Sequence, residues 1–172
     1  GLTRPGEVVV DLCCGSGAIG AAIATVCPGV ELHAADLDPV AVECARRNLA
    51  GTGGHVYQGD LFDALPDRLR GRATVICANV PYVPSAEVEL LPREARLFEP
   101  RVALDGGPDG LDVLRRVAAD AAAWLRTGGH LISETGAHQA ATARAILDEA
   151  GLRSEVHQDA EIDATVVAGA RP

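Results

Sequence analysis

The chain lacks several things that would assign it to common classes. Its 172 residues include no methionine, so an initiating residue and something upstream of Gly1 are expected to precede it. No apolar run approaches the roughly 18 residues of a membrane-spanning helix, and no secretory pattern opens the chain. There is no C-x-x-C pair among the five cysteines (13, 14, 27, 44 and 77). A bound metal is therefore not expected, and a reduced, cytoplasmic protein is. Positive charge is scarce too: the net charge is −9 and the pI about 4.9. That balance disfavours a protein that grips a phosphate backbone, which needs stripes of basic side chains.

What is present is apolar and periodic. Hydrophobic residues make up 48% of the chain, enough for one globular domain with a sizeable core. Strand-like runs cover Glu7 to Leu12, Val30 to Ala35, His55 to Gln58, Ala73 to Ala78, His130 to Ser133, Arg153 to His157 and Ala164 to Ala168. Helical spacing lies between them. Ile19, Ala22, Ile23 and Val26 form one stripe, ended by Pro28-Gly29. Asp38 with Pro39 opens a second helix, with Val42, Ala45 and Leu49 on its buried face. Leu111, Leu114, Ala118, Ala121 and Leu125 mark a third, and Ala143, Ile146, Leu147 and Ala150 a fourth. This alternation predicts an α/β fold: a doubly wound, mostly parallel, seven-stranded Rossmann-like sheet with helices on both faces.

Ligands of such sheets bind at the carboxyl ends of the strands, near the point where strand order reverses. Asp11, Asp36, Asp60 and Asn79 all fall at predicted strand ends. Gly15-Ser16-Gly17-Ala18-Ile19-Gly20 matches G-x-G-x-x-G between a strand and a helix, which invites a dinucleotide and an oxidoreductase. Asp11 argues against that, because an acid beside the glycines repels a pyrophosphate. It suits an ammonium instead. Asp36 is placed to accept from ribose hydroxyls, and Asp60 from an adenine amine, with Leu37 and Leu61 flanking the ring. Each acid has an ordinary alternative as a helix cap or turn residue.

Asn79-Val80-Pro81-Tyr82 ends the Ala73 to Ala78 run. An amide oxygen, a carbonyl held by the following proline and a flat ring together make a seat for a planar NH2 group, whether a primary amide or an exocyclic base amine. From Val80 to Gly110 the chain carries five prolines and little periodicity, and so long a loop is usually functional. The histidines are expected to be surface or strand residues and not catalysts, and Glu99 and Arg101 to serve structure.

Asp11-Leu-Cys-Cys-Gly15-Ser-Gly17 resembles the first motif of class I S-adenosylmethionine-dependent methyltransferases. Asn79-Val80-Pro81-Tyr82 resembles the N-P-P-Y signature of enzymes that methylate planar nitrogens. The segment Leu91 to Leu111, with Glu99-Pro100-Arg101, and Glu134-Thr-Gly136-Ala-His-Gln139 are similar to protein-(glutamine-N5) methyltransferases, which modify peptide-chain release factors. The resemblance implies S-adenosylmethionine as cofactor and a protein substrate with an exposed glutamine loop, a release factor; the charge balance disfavours nucleic acid, and the short apolar runs predict no membrane partner. It implies Asp11, Cys13, Gly15, Ser16, Gly17, Asp36, Leu37, Asp60, Leu61 and Asn79 as cofactor-binding residues. Asn79, Val80, Pro81 and Tyr82 are the implied catalytic residues.

Three departures stand out. Cys13 replaces a glycine, Val80 replaces the first proline of N-P-P-Y, and only Gly1 to Gly6 precede the first strand, where the family has a helical substrate domain. The 172 residues are thus expected to be one catalytic domain. The competing functions are methylation of a DNA or RNA amine and cofactor binding without catalysis.

Overall fold

The structure is a computed structural model and describes residues 3–172. Its first half alternates β1 (Val8–Leu12), α1 (Ala18–Val26), β2 (Glu31–Asp36), α2 (Pro39–Leu49), β3 (His55–Gln58) and β4 (Ala73–Ala78). After β4 come α3 (Arg93–Phe98), α4 (Arg101–Leu104) and α5 (Asp112–Trp124). The chain closes with β5 (Leu125–Glu134), α6 (Ala140–Glu149), β6 (Arg153–Asp159) and β7 (Ala164–Ala170). The sheet order is β3-β2-β1-β4-β5-β7-β6. Neighbours from β3 through β5 are parallel, and β7 runs antiparallel to both β5 and β6. The expected seven-stranded, doubly wound architecture is what forms. Strand order reverses between β1 and β4, so the carboxyl ends of those strands frame a crevice.

β1 is buried along its whole length, as a central parallel strand covered on both faces must be. Its side chains alternate between two cores. Val8, Val10 and Leu12 join Ile76, Leu114, Val117, Trp124, Leu131 and Leu147 on one face. Val9 joins Leu32, Ala34, Ala45 and Leu49 on the other. Phe62 stacks on Trp124 at 5.3 Å, and the Arg70 guanidinium lies over that indole at 4.4 Å. Both rings belong to the larger core, and the cation adds to their packing.

α1 departs from the expected stripe. Ile19, Ala22 and Val26 face outward, and Gly20 is the helix's one fully buried residue. Small residues bring this helix close to the sheet. A Cβ on Gly20 would lie 3.2 Å from both Asp11 Oδ2 and Leu32. Close approach, not apolar size, sets which face of α1 turns inward.

The third stripe also ends earlier than its spacing suggests. Leu125 leaves the helix and begins β5, which runs on through Gly128-Gly129. Gly128 takes φ 73° there, and the register with β4 shifts between Ala73 and Val75. His33, His55, His130 and His157 lie in strands. Buried His33 holds Tyr57 Oη on Nδ1 at 3.0 Å and Glu31 on Nε2 at 3.1 Å. That is a satisfied structural histidine.

Candidate active site

A cavity of about 430 Å³ opens at the carboxyl ends of β1, β2, β3 and β4. Its walls include Cys13, Gly15, Ser16, Asp36, Leu37, Asp60, Leu61, Asn79 and Pro81. Nine of the predicted site residues thus converge on one space, from segments far apart in sequence. The crossover helices pull each strand end to the same side, which is why alternation alone predicted the meeting place.

The first wall is the turn from β1 to α1. Gly15 and Gly17 adopt φ 53° and 78°, and Cys13 adopts φ 53°. The turn therefore demands a left-handed conformation at Cys13, which is where a glycine would be easier. A Cβ on Gly15 would meet nothing within 4 Å, so this glycine keeps the backbone bare beside the cavity. Gly17 faces inward instead, where a Cβ would press on Leu49 and Ala45.

Asp36 organises this wall. Its Oδ2 accepts from the Gly15 N–H at 2.8 Å, and its Oδ1 from the Asp38 N–H at 2.9 Å. A carboxylate has about four acceptor sites, so Asp36 has capacity left for hydroxyl groups in the cavity. Asp38 caps α2 by accepting from the Val40 N–H, with Pro39 at the first helical position.

Asp60 makes no helix-cap hydrogen bond to the turn that follows it. Its Oδ2 instead receives Arg116 Nη2 at 2.7 Å, and both groups line the cavity. Leu61 (φ 46°) and half-exposed Leu37 supply apolar walls near it.

Asp11 lies deeper than the sequence suggests. It is fully buried and absent from the cavity wall. Its Oδ2 accepts from the Gly20 N–H at 3.0 Å, tying β1 to the first turn of α1, and its Oδ1 has no partner among the described residues. Burial pushes its carboxyl up to about 6, and the Asp36 charge adds to the rise. An unpaired buried carboxylate oxygen is costly. A cation brought near it would relieve that cost.

Asn79 is exposed on the cavity wall, while the Val80 side chain is buried in the large core. Among the described residues, neither the Asn79 amide nor the Val80 carbonyl has a hydrogen-bond partner. The preceding carbonyl, of Ala78, accepts from the Ser133 hydroxyl at 2.7 Å. Two free acceptor groups thus follow directly on a pinned strand end. Tyr82 is half-buried and off the cavity wall, with its hydroxyl 3.4 Å from Glu134 Oε1 at the end of β5. Burial, and then the Glu134 charge, raise its phenol above the ordinary range.

The segment after Pro81 is structured, contrary to the loop expected there. Val83 pairs with Asp105 in a parallel bridge, and Gly106 N–H donates to the Val83 carbonyl. Asp105 accepts from Ser85, Gly107 N–H and Arg101. Arg101 thus serves structure, as expected. The excursion between these anchors carries Phe98, Pro100, Val102 and Ala103 onto the cavity wall, facing Val40, Ala41 and Cys44 of α2. These wall residues, and Arg116, were not foreseen. Arg116 lies one turn after Val113, also on the wall, but helical spacing marks only the apolar face of α5. No cluster of His, Cys, Asp or Glu able to hold a metal occurs among the described residues. No described helix is long and apolar enough to cross a membrane.

The chain is similar to known proteins over most of its length. The methyltransferase small domain model matches residues 2–94. A release factor glutamine methyltransferase of Geobacter sulfurreducens is 39% identical over 146 residues, which is 84% of this chain and 50% of that protein. A 4-amino-L-phenylalanine/4-methylamino-L-phenylalanine methyltransferase of Streptomyces pristinaespiralis is 36% identical over 151 residues, 88% of this chain and 50% of that protein. The chain thus spans about half the length of these curated relatives. A methyltransferase crystal structure from Pyrococcus furiosus superposes with a TM-score of 0.73 at 16% identity, covering 98% of this chain and 76% of that one. That likeness carries the fold, and the family match carries the relationship: the chain belongs to the methyltransferase small domain family.

Proposed function

We propose that this domain transfers a methyl group from S-adenosylmethionine to the side-chain amide nitrogen of a protein glutamine, in a peptide-chain release factor. The observation that carries the reading is Asn79. Its free amide shares one cavity with Gly15, Asp36 and Asp60. A nucleoside held by the two acids would put a reactive group within reach of whatever Asn79 holds. The residues fit this cofactor: Asp36 has acceptor capacity for two hydroxyls, Leu37 and Leu61 are apolar walls for a base, and Arg116 on the same wall is taken up by Asp60.

S-adenosylmethionine supplies an electrophilic methyl when bound, so neither a metal nor a redox group is needed. The chain's own residues handle the acceptor. An amide nitrogen is a poor nucleophile because its lone pair is delocalised. Asn79 Oδ1 and the Val80 carbonyl accept hydrogen bonds from its two N–H groups, which aims the nitrogen and stabilises the positive charge developing on it, and the methylated nitrogen then gives up one of those protons to water. Val80 in place of proline keeps that carbonyl.

Charge supports a protein acceptor over a polynucleotide. Between Val80 and Gly110, three arginines face six carboxylates, a balance of −3, which offers no track for phosphates. A glycine-flanked glutamine is slim enough to enter beneath Phe98 and Val102. A free arylamine is the second reading, favoured by the 36% identity to the aminophenylalanine enzyme, because an arylamine is also a planar NH2 group.

The test is labelled methyl transfer to four acceptors side by side. They are a release factor, its variant with the glycine-flanked glutamine changed to alanine, 4-amino-L-phenylalanine, and DNA. Label in the first alone supports the proposal. Equal label in the Gln→Ala protein, or label in DNA, overturns it, and label in the amino acid alone selects the second reading.

A further inference from the structure

Both ends of the excursion that covers the cavity converge on one side chain. Gln139, 4% exposed, sits in the turn between β5 and α6. Its Nε2 donates to the Tyr82 carbonyl at 2.9 Å and to the Asp109 carbonyl at 2.8 Å. Its Oε1 accepts from the Gly136 N–H at 2.9 Å and the Thr135 hydroxyl at 3.2 Å. Two donors and two lone pairs are all that a primary amide offers, so Gln139 is saturated. The opposite amide orientation would set its oxygen against two carbonyls, so the network admits this one only.

Glycine makes the junction possible. Gly110 has φ 78°, and a Cβ there would overlap the Tyr82 carbonyl oxygen and Gln139 Nε2. A Cβ on Gly106 would overlap the Pro81 and Gly110 carbonyl oxygens. The Val83–Asp105 pairing and the Asp112 N–H to Gly106 carbonyl bond, 2.9 Å, complete the knot. Gln139 is absent from the cavity wall. It holds the peptide that follows Tyr82, whose carbonyl lies two residues after the free carbonyl of Val80.

We propose that Gln139 is a positioning residue, which by clamping the Tyr82 and Asp109 carbonyls sets the direction of the Asn79-Val80-Pro81 acceptor seat. This deepens the function proposed above and rests on it. The two carbonyls that Gln139 clamps lie on the acceptor side of the cavity. The β1–α1 turn, Asp36 and Asp60 share no hydrogen bond with it. A merely structural glutamine would lower turnover and cofactor affinity together, whereas a positioning one lowers turnover and spares affinity.

The experiment uses Gln139→Ala, Gln139→Glu and Gly110→Ala in the full chain. Three quantities are read: S-adenosylhomocysteine Kd by calorimetry, kcat and KM on a release factor, and amide exchange at Val83, Ser85 and Gly106. For Gln139→Ala, kcat falls about 10- to 100-fold, since small misplacements of a reacting group cost that much, while Kd changes less than about threefold, and the three amides exchange faster. Gly110→Ala gives the same pattern by crowding the same junction. Gln139→Glu regains activity relative to wild type as pH falls, because a protonated carboxyl recovers one donor. Unchanged exchange in Gln139→Ala overturns the clamp whatever the activity. Loss of kcat matched by equal loss of cofactor affinity overturns the positioning role. A wild type that methylates none of the acceptors overturns the functional reading and the catalytic half of this proposal, while exchange still decides the clamp.

Discussion

Arg116 reaches across from α5 to place Nη2 2.7 Å from Oδ2 of Asp60. The pair spans the cavity wall at the end of β3 and leaves Oδ1 of Asp60 for a ligand. Both side chains are about half exposed, so the pair adds at most about 1 kcal/mol to stability. Arg116→Ala should therefore melt close to wild type. Asp60→Ala and Asp36→Ala should each weaken S-adenosylhomocysteine binding by about 1–3 kcal/mol, since each removes a charged acceptor. Asp36→Ala should also lower the melting temperature, because the Gly15 and Asp38 N–H groups lose their partner. Calorimetric titration and thermal melts check the set; full affinity in both Asp variants would remove the acids from the site.

Asp11 links pH to both stability and binding. Its carboxyl is raised from 3.8 to about 6 in the folded chain, chiefly by burial. A raised carboxyl penalises the folded state above both values, by about 3 kcal/mol at neutral pH. The folded chain takes up the proton first as pH falls, so this penalty is relieved between about pH 6 and pH 4. Asp11→Asn should flatten that part of the stability profile. An ammonium brought near Asp11 lowers its pKa and expels the proton. Titration of S-adenosylhomocysteine at pH 6 in two buffers of different ionisation enthalpy should show proton release in wild type and none in Asp11→Asn. No release in wild type would place the ammonium away from Asp11.

The cysteines offer a probe that needs no turnover. Burial pushes the Cys13, Cys14 and Cys77 thiols up to about 12, helped in each by the Asp11 charge. Almost no thiolate exists there at pH 7.5, and thiolate is the reactive form. Iodoacetamide should modify Cys27 and Cys44 first, and S-adenosylhomocysteine should protect Cys44 alone, since only Cys44 of that pair lines the cavity. Peptide mapping after timed alkylation reads this, and equal protection of Cys27 would argue against ligand in the cavity.

The acceptor seat separates chemistry from packing. Asn79→Ala should reduce turnover roughly 10²–10³-fold with little change in melting temperature, since Asn79 is exposed and unbonded. Val80→Pro should keep activity within about tenfold, because the carbonyl remains. It should cost about 1–3 kcal/mol in stability, the usual cost of a shape change in a packed core, because the Val80 side chain packs there at 2% exposure. Steady-state rates beside urea unfolding test both, and a fully active Asn79→Ala would dismiss the seat.

The alternating strands and helices, the capped start of α2 and the meeting of strand ends were legible in the chain itself. They depend on side-chain period, on glycine and proline punctuation, and on the handedness of crossovers, all of which are local. So the cavity's acids Asp36 and Asp60, and Asn79 beside them, could be named from their place at the ends of apolar runs. The tertiary structure decided what lies between distant segments. It buried Asp11 beneath Gly20, turned the small face of α1 inward, folded the proline-rich segment back on Val83, and moved Tyr82 off the cavity wall. Arg116 meets Asp60 across 56 residues and Gln139 meets Tyr82 across 57. Contacts at such separation leave no period in the sequence, because each depends on where two elements pack and not on the order of residues within either.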